Sequence, residues 1–334
     1  MNKMKCKQCL LHNGIQGVHI EEDGLCNFCR LSIGHGTGEE EKKRYENKFA
    51  HLVEQYGKKG TYDCILAYSG GKDSTYTLYV LQEKYGLTPL VLTFDNWFQS
   101  EKAHDNIRKV VRRTNVDHLT IRPAFDTFAR MVKGCLEKGF YPERTMQRAS
   151  AVCTTCLALI RFITFRYAIE KHIPFVVFGL SPGQAPVSTS VFKTNSAMLK
   201  TMQEFVMQPL ETKLGIDCRN YFLEARHLES QALFPYSINP LAFLPYDESR
   251  IYRTIQSLDW EKPDDTDPNS TNCLLNGFAN QIHETQYGFN PYIFEISHLV
   301  RQGKISRQEG RERLLHPADE NVVAGIRKIL NTAM

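Results

Sequence analysis

Residues 64–86 constrain this chain more than any other stretch. Cys64-Ile65-Leu66-Ala67-Tyr68 is a short apolar run that stops at Ser69-Gly70-Gly71-Lys72-Asp73-Ser74. It reads as a buried strand feeding a tight turn. From Thr75 to Tyr85, Leu78, Leu81 and Tyr85 recur at helical spacing, and Gly86 supplies a stop. Strand, glycine turn and helix in that order make an anion site. Glycines permit close backbone approach, and the free N–H groups and dipole at a helix start favour negative charge. Ser69, Ser74 and Thr75 add hydroxyls, Lys72 can neutralise phosphate charge, and Asp73 can hold Mg2+ or orient reacting groups. The Gly-to-Gly-Lys spacing is too short for a Walker-type loop.

Further apolar runs alternate with helical patterns. Pro89–Asp95, His118–Ile121 and Phe175–Gly179 read as strands; Ala103–Arg113 and about Leu157–His172 read as helices. That alternation predicts an α/β fold, a parallel sheet with helices on both faces. Ligands of such sheets bind outside the carboxyl ends of the strands, where the Ser-Gly-Gly turn, Asp95-Asn96 and Gly179 would lie. Four segments follow: residues 1–35 as a cysteine-stapled module, 36–59 as a connecting helix, 60–245 as the nucleotide-binding domain and 246–334 as a helical C-terminal region. Residues 180–245 look irregular, a candidate substrate-shaping insertion. In the last region Ile251, Ile255, Phe294, Leu299, Ile305 and Leu314 are candidate core residues.

The net charge of +4 over 334 residues is well short of a nucleic-acid-binding signature. Clusters such as Lys42-Lys43-Arg44 and Arg112-Arg113 read as solvated helix faces. Residues 1–7 lead into no apolar run, and no stretch of about 20 apolar residues stands out. The expectation is a cytoplasmic protein with no membrane span. In a reducing compartment, ten cysteines point to metal or redox sites rather than disulfides.

Cys6-Lys7-Gln8-Cys9 and Cys26-Asn27-Phe28-Cys29 form two C-x2-C pairs sixteen residues apart. Four thiolates at this spacing suit tetrahedral Zn2+, as in a zinc ribbon. The four ligands leave no open position, so the role expected is structural.

The motif Ser69-Gly70-Gly71-Lys72-Asp73-Ser74 resembles the PP-loop of ATP pyrophosphatases, which split ATP between its α and β phosphates. The resemblance implies a HUP-like PP-loop fold that binds ATP and Mg2+, adenylates a substrate, releases pyrophosphate and lets a nucleophile displace AMP. Its implied ATP-binding residues are Tyr68, Ser69, Gly70, Gly71, Lys72, Asp73, Ser74, Thr75, Asp95 and Gly179, with Lys72 and Asp73 catalytic.

Cys153-Thr154-Thr155-Cys156 resembles the central pair of tRNA-thiolating members, in which two such cysteines and a distant third hold a [4Fe-4S] cluster. Cys273, in the polar stretch Asp267–Cys273, is the third candidate; Cys135 and Cys218 are alternatives. The pair also fits a redox couple, a second zinc half-site or plain helix packing, and Cys64 reads as core. The N-terminal cysteine module and Gly303-Lys304-Ile305-Ser306-Arg307-Gln308-Glu309 resemble N-acetyl sugar amidotransferases, which are also PP-loop enzymes. Many thiolating relatives carry Gly-His and acidic residues after the fourth strand; this chain reads Gly179-Leu180-Ser181-Pro182-Gly183-Gln184 there.

Three readings follow. The first is an ATP-dependent sulfur transferase using the cluster or a cysteine persulfide, favoured by Lys72, Cys153 and Cys156. The second is an ammonia-using amidotransferase working with a separate glutaminase; those relatives carry Val where Lys72 stands and need no cluster. The third is a non-catalytic zinc-ribbon adaptor, which the intact loop disfavours. Beside ATP, the expected partners are a sulfur donor or glutaminase and an acceptor that is a tRNA, a sugar nucleotide or a small metabolite. A homodimer is compatible with the resemblance.

Overall fold

The apolar run before the glycine turn forms β1 (Cys64–Ala67), at the centre of a six-stranded sheet. The other strands are β2 (Pro89–Phe94), β3 (Asp117–Ile121), β4 (Phe175–Phe178), β5 (Val191–Lys193) and β6 (Tyr236–Ile238). Their order across the sheet is β3-β2-β1-β4-β6-β5. All pairings are parallel except β5 with β6. The computed structural model describes residues 4–34, 38–229 and 234–331.

Alternate strand residues point to opposite faces, which splits the interior into two layers. Ile65, Leu90, Leu92, Val176 and Phe178 face one core; Cys64, Leu66, Val91, Phe175 and Val177 face the other. The first core is covered by α5 (Phe125–Cys135), α6 (Ala151–Glu170), α7 (Ser196–Leu214), α10 (Leu275–Tyr287) and α13 (Glu320–Leu330). The second is covered by α2 (Glu39–Tyr56), α3 (Lys72–Glu83), α4 (Glu101–Thr114) and α9 (Glu248–Gln256). The expected parallel sheet covered on both faces is therefore present. The remaining helices are α1 (Asn27–Gly34), α8 (Ala225–Glu229), α11 (Ile293–Arg301) and α12 (Arg307–Leu315).

Three expectations need correction. Residues 180–245 are not uniformly irregular, because α7 runs for 19 residues within them. Its stripe Leu199, Gln203, Val206 and Leu210 is buried, Asn195 caps its start, and Pro209 inside the helix hides the pattern. Next, α6 begins at Ala151, not near Leu157: the Ser150 hydroxyl accepts the Cys153 N–H at 3.2 Å. Cys153 and Cys156 therefore lie inside the helix start rather than before it. Finally, α6 is long and apolar enough to cross a membrane by length and composition. Its apolarity is explained by packing, since Val152, Leu159, Phe162, Ile163 and Phe165 are buried in the first core.

The C-terminal region is helical as expected, and Ile251, Ile255, Phe294, Leu299 and Ile305 are buried; Leu314 packs half-buried beside them. The N-terminal cysteines sit against Phe289, Ile293 and Phe294. The Arg307 guanidinium donates to the carbonyls of Cys6 and Cys9, both at 3.1 Å.

Candidate functional site

The turn after β1 lies between the carboxyl ends of β1 and β4, which are neighbours in the sheet. Gly70 adopts φ +73°, and a Cβ there would fall 2.5 Å from Ile107 Cγ1 and 3.0 Å from the Ala103 carbonyl. Only glycine fits such a position. Gly71 precedes α3 in extended conformation and gives the helix no side-chain cap, so the first-turn amides are left for other acceptors. Hydroxyls take places a phosphate would claim: Thr271 Oγ1 accepts the Lys72 N–H at 2.9 Å and Ser69 Oγ accepts the Gly71 N–H at 3.3 Å. Ser74 Oγ accepts the Ser69 N–H at 3.3 Å.

Not every residue expected to bind ATP offers its side chain to the turn. Tyr68 and Thr75 are buried, with their hydroxyls 3.2 Å apart. A Cβ on Gly179 would lie 2.8 Å from Ser74 Cα and 2.9 Å from Thr77 Oγ1, so this glycine lets β4 approach the start of α3. Asp95 is buried at the end of β2, where it accepts from Arg122 Nε at 2.9 Å and from the Trp97 N–H at 3.0 Å. Its carboxylate is engaged within the loop, and the Arg122 guanidinium stacks 4.7 Å from the Trp97 ring.

Lys72 is the centre of a buried polar network. Its ammonium donates to Tyr246 Oη at 2.6 Å and Glu248 Oε1 at 2.8 Å, and lies 3.4 Å from Asp73 Oδ1. The Tyr246 hydroxyl donates to Asp73 Oδ1 at 3.0 Å. Glu248 in turn accepts from Arg313 at 2.6 and 3.2 Å. Burial works against the Lys72 charge, but Asp73, Tyr246 and Glu248 outweigh it and hold the ammonium well above its usual range. Trp260 Nε1 donates to the Gly70 carbonyl at 2.8 Å. The turn and its lysine are thus closed from outside by residues 246–313. Sequence reasoning missed Tyr246, Glu248, Trp260, Thr271 and Arg313, because no motif links them to a turn some 170 or more positions earlier. The usable signal is indirect: a lysine in a buried turn requires an acidic partner.

The second cysteine set converges near the same edge. Asn96, one residue beyond Asp95, donates Nδ2 to Cys273 Sγ at 3.4 Å and also hydrogen-bonds Cys156. Asn276 Nδ2 donates to Cys153 Sγ at 3.5 Å and to Tyr292 Oη at 3.0 Å. Burial pushes the Cys153 thiol up to about 11, and the neighbouring Cys273 adds to the rise. Cys156 and Cys273 are raised too, first by burial. Of the two alternatives, Cys135 turns to Thr155 Oγ1 at 3.1 Å while still influencing Cys156. Cys218 is buried beside Glu211 and Asp217.

At the N-terminus, the Sγ atoms of Cys6, Cys9, Cys26 and Cys29 all lie within 4.8 Å of one another. Cys6 and Cys29 sulfurs are 3.6 Å apart, as are those of Cys9 and Cys26. Among the described residues this is the group of three or more potential metal ligands drawn that close.

No family model matches the chain. It is 26% identical over 316 residues to an uncharacterized protein of Methanocaldococcus jannaschii, covering 94% of each. Among solved structures it is similar to the U34-tRNA thiolase NcsA of Methanococcus maripaludis with its [4Fe-4S] cluster, at 15% identity and TM-score 0.38, covering 100% of this chain and 90% of that one. It is also similar to the NMN synthetase of Francisella tularensis, at 13% identity and TM-score 0.38, covering 88% and 97%. Overlap at these scores is too loose to carry residue roles across.

Proposed function

We propose that this chain is an ATP-using enzyme of PP-loop type that adenylates an acceptor, releases pyrophosphate and then inserts sulfur. The observation that carries the ATP reading is the turn at residues 69–74, with helix-start amides held only by side-chain hydroxyls and a charged lysine at the carboxyl edge of a parallel sheet. Phosphate oxygens replace the Thr271 and Ser69 hydroxyls at the Lys72 and Gly71 N–H groups. Lys72 stabilises charge on the departing pyrophosphate. Asp73, hydrogen-bonded by Tyr246, offers its remaining oxygen to Mg2+.

The sulfur reading is supported by the Cys153–Cys156 pair at the start of α6 and the distant Cys273, with Asn96 hydrogen-bonding Cys156 and Cys273 and Asn276 hydrogen-bonding Cys153. As free thiols they are held protonated and weakly nucleophilic by burial. A cationic cluster would reverse that burden, and thiolates are its ordinary ligands. Cys153, Cys156 and Cys273 would hold a [4Fe-4S] cluster, which when bound supplies an open iron site for sulfide. The N-terminal set fits a single ion instead: a tetrahedral zinc with bonds of about 2.3 Å separates its sulfurs by roughly 3.8 Å, close to the distances here.

Metal and sulfide analysis of anaerobically prepared protein tests the reading. About four irons and one zinc per chain are expected, with the iron lost in Cys153→Ala. A protein that binds ATP and zinc but no iron would sink the cluster, and one that also carries no cysteine persulfide would leave the ammonia-using amidotransferase.

A further inference from the structure

A cavity of about 420 Å³ opens between α4 and the edge strand β3. Small-molecule sites commonly measure about 300–1,000 Å³. No residue from 68 to 75 lines it, so it is not the anion site described above. Its origin lies in the sequence of β3. His118 pairs with Val91 and Thr120 with Thr93. Val91 packs into the core beneath α4, but the edge strand places polar side chains on that face and leaves the gap to the helix unfilled. Ile107 and Val111 of α4 supply an apolar wall. Ile107 also abuts Gly70, so it stands as a partition between the cavity and the turn.

Acceptors lie inside and cations at the mouth. Gln99 lines the cavity and is only 8% exposed, yet its Oε1 has no hydrogen-bond partner. A buried acceptor left bare is costly, and a ligand that meets it removes the cost. Thr93 donates its single hydroxyl hydrogen to the Tyr68 carbonyl at 2.8 Å, so it can only accept from His118 Nε2, also at 2.8 Å. That places the ring proton on Nε2 and leaves Nδ1 as an acceptor. Burial lowers the His118 ring and keeps it neutral. Arg108 and Arg112, one turn apart on α4, are exposed at the rim. Arg108 pairs with Asp105, whereas Arg112 makes no ion pair among the described residues.

We propose that this cavity binds a nucleoside monophosphate whose base carries an amino group, at a site separate from the glycine turn. The amino N–H groups donate to Gln99 Oε1, the base lies against Ile107 and Val111, and the phosphate meets Arg108 and Arg112. The lining dictates this order of parts: N–H donors on a flat body at the inner end, negative charge at the outer end. A bare anion would leave Gln99 unmet, and an apolar ligand would leave both ends unmet. The site is independent of whether the chain transfers sulfur or nitrogen.

The test is calorimetric titration with AMP, GMP and CMP of protein first saturated with the α,β-methylene analogue of ATP and Mg2+, so that the turn is already filled. At least one of the three should bind at one site per chain. Its counterpart without the amino group (purine riboside, inosine or 2-pyrimidinone riboside 5′-monophosphate) should bind about tenfold more weakly. Gln99→Leu should weaken the mononucleotide by a similar factor and leave the affinity for the analogue unchanged. Arg112→Gln, at an exposed position on which the fold does not depend, should also weaken it, with a gap that narrows as salt rises. No binding by any of the three, equal binding of the amino-free counterpart, or affinity unchanged in either variant overturns the proposal. Failure of the analogue to bind overturns the ATP reading alone; the same titrations of unloaded protein then decide this site.

Discussion

The indole of Trp260 donates its N–H to the carbonyl of Gly70 at 2.8 Å. A residue beyond the last strand thus fixes the left-handed turn at Gly70. Trp260→Phe should leave that buried carbonyl without its partner and open a small void, at a cost of about 2–3 kcal/mol. Urea unfolding should record the loss, and the dissociation constant for the ATP analogue should rise.

Gly179→Ala should destabilise the fold by about 1–3 kcal/mol. Its new methyl would meet Ser74 Cα, a backbone atom that cannot swing aside. The same substitution at Gly139, whose Cβ would find open space but whose φ is +80°, should show only the backbone cost of about 1 kcal/mol. Thermal melts of the two variants compare steric with conformational effects.

Four of the six strands and the turn were legible because their signals are local; β5 and β6, three residues each, offer too short a pattern to read. An apolar run that ends in two glycines and a lysine carries its own geometry in a dozen residues. The four N-terminal cysteines were legible for the same reason: spacing is the signal. What closes the site was not legible. Tyr246, Glu248 and Arg313 are ordinary residues in sequence; Tyr246 and Glu248 are singled out only by contact with Lys72, and Arg313 only by contact with Glu248. Likewise α7 was hidden by Pro209, whose missing N–H the buried Leu199–Leu210 stripe outweighs.

Lys72→Met should lower ATP-dependent pyrophosphate release by about 10²–10³-fold. Glu248 keeps Arg313 as its partner in this variant, so the fold should persist. Pyrophosphate exchange alongside circular dichroism checks both halves; exchange at the wild-type rate would remove Lys72 from the chemistry.

Burial raises Glu248, but Arg313 and Lys72 bring its carboxyl down to about 2 from an ordinary 4.5. The folded chain holds this carboxylate ionised more firmly than the unfolded chain does. Its contribution is complete above about pH 4.5 and is lost as pH falls through 2. Roughly 3 kcal/mol is at stake. Urea unfolding of wild type and Glu248→Gln between pH 2 and 6 should show a gap that closes toward the acid end.

Removing the metal expected at Cys6, Cys9, Cys26 and Cys29, by chelation or Cys26→Ser, should lower the melting temperature by about 5–10 °C. The loss should appear in hydrogen exchange at α11 and α12, against which the cysteines pack. A melt indifferent to zinc content would make the module dispensable.

Two arginines on α12 face in different directions with consequences for any attempt to shorten this protein. Arg307 clasps the cysteine knuckle, while Arg313 reaches through Glu248 toward the ammonium of the glycine turn. A fragment trimmed at Pro245 would strand that ammonium beside Asp73 alone and uncover the turn; one trimmed at Gln302 would loosen both ends together. Attempts to isolate a minimal ATP-binding piece should therefore keep the tail, and fusions or tags belong beyond residue 331.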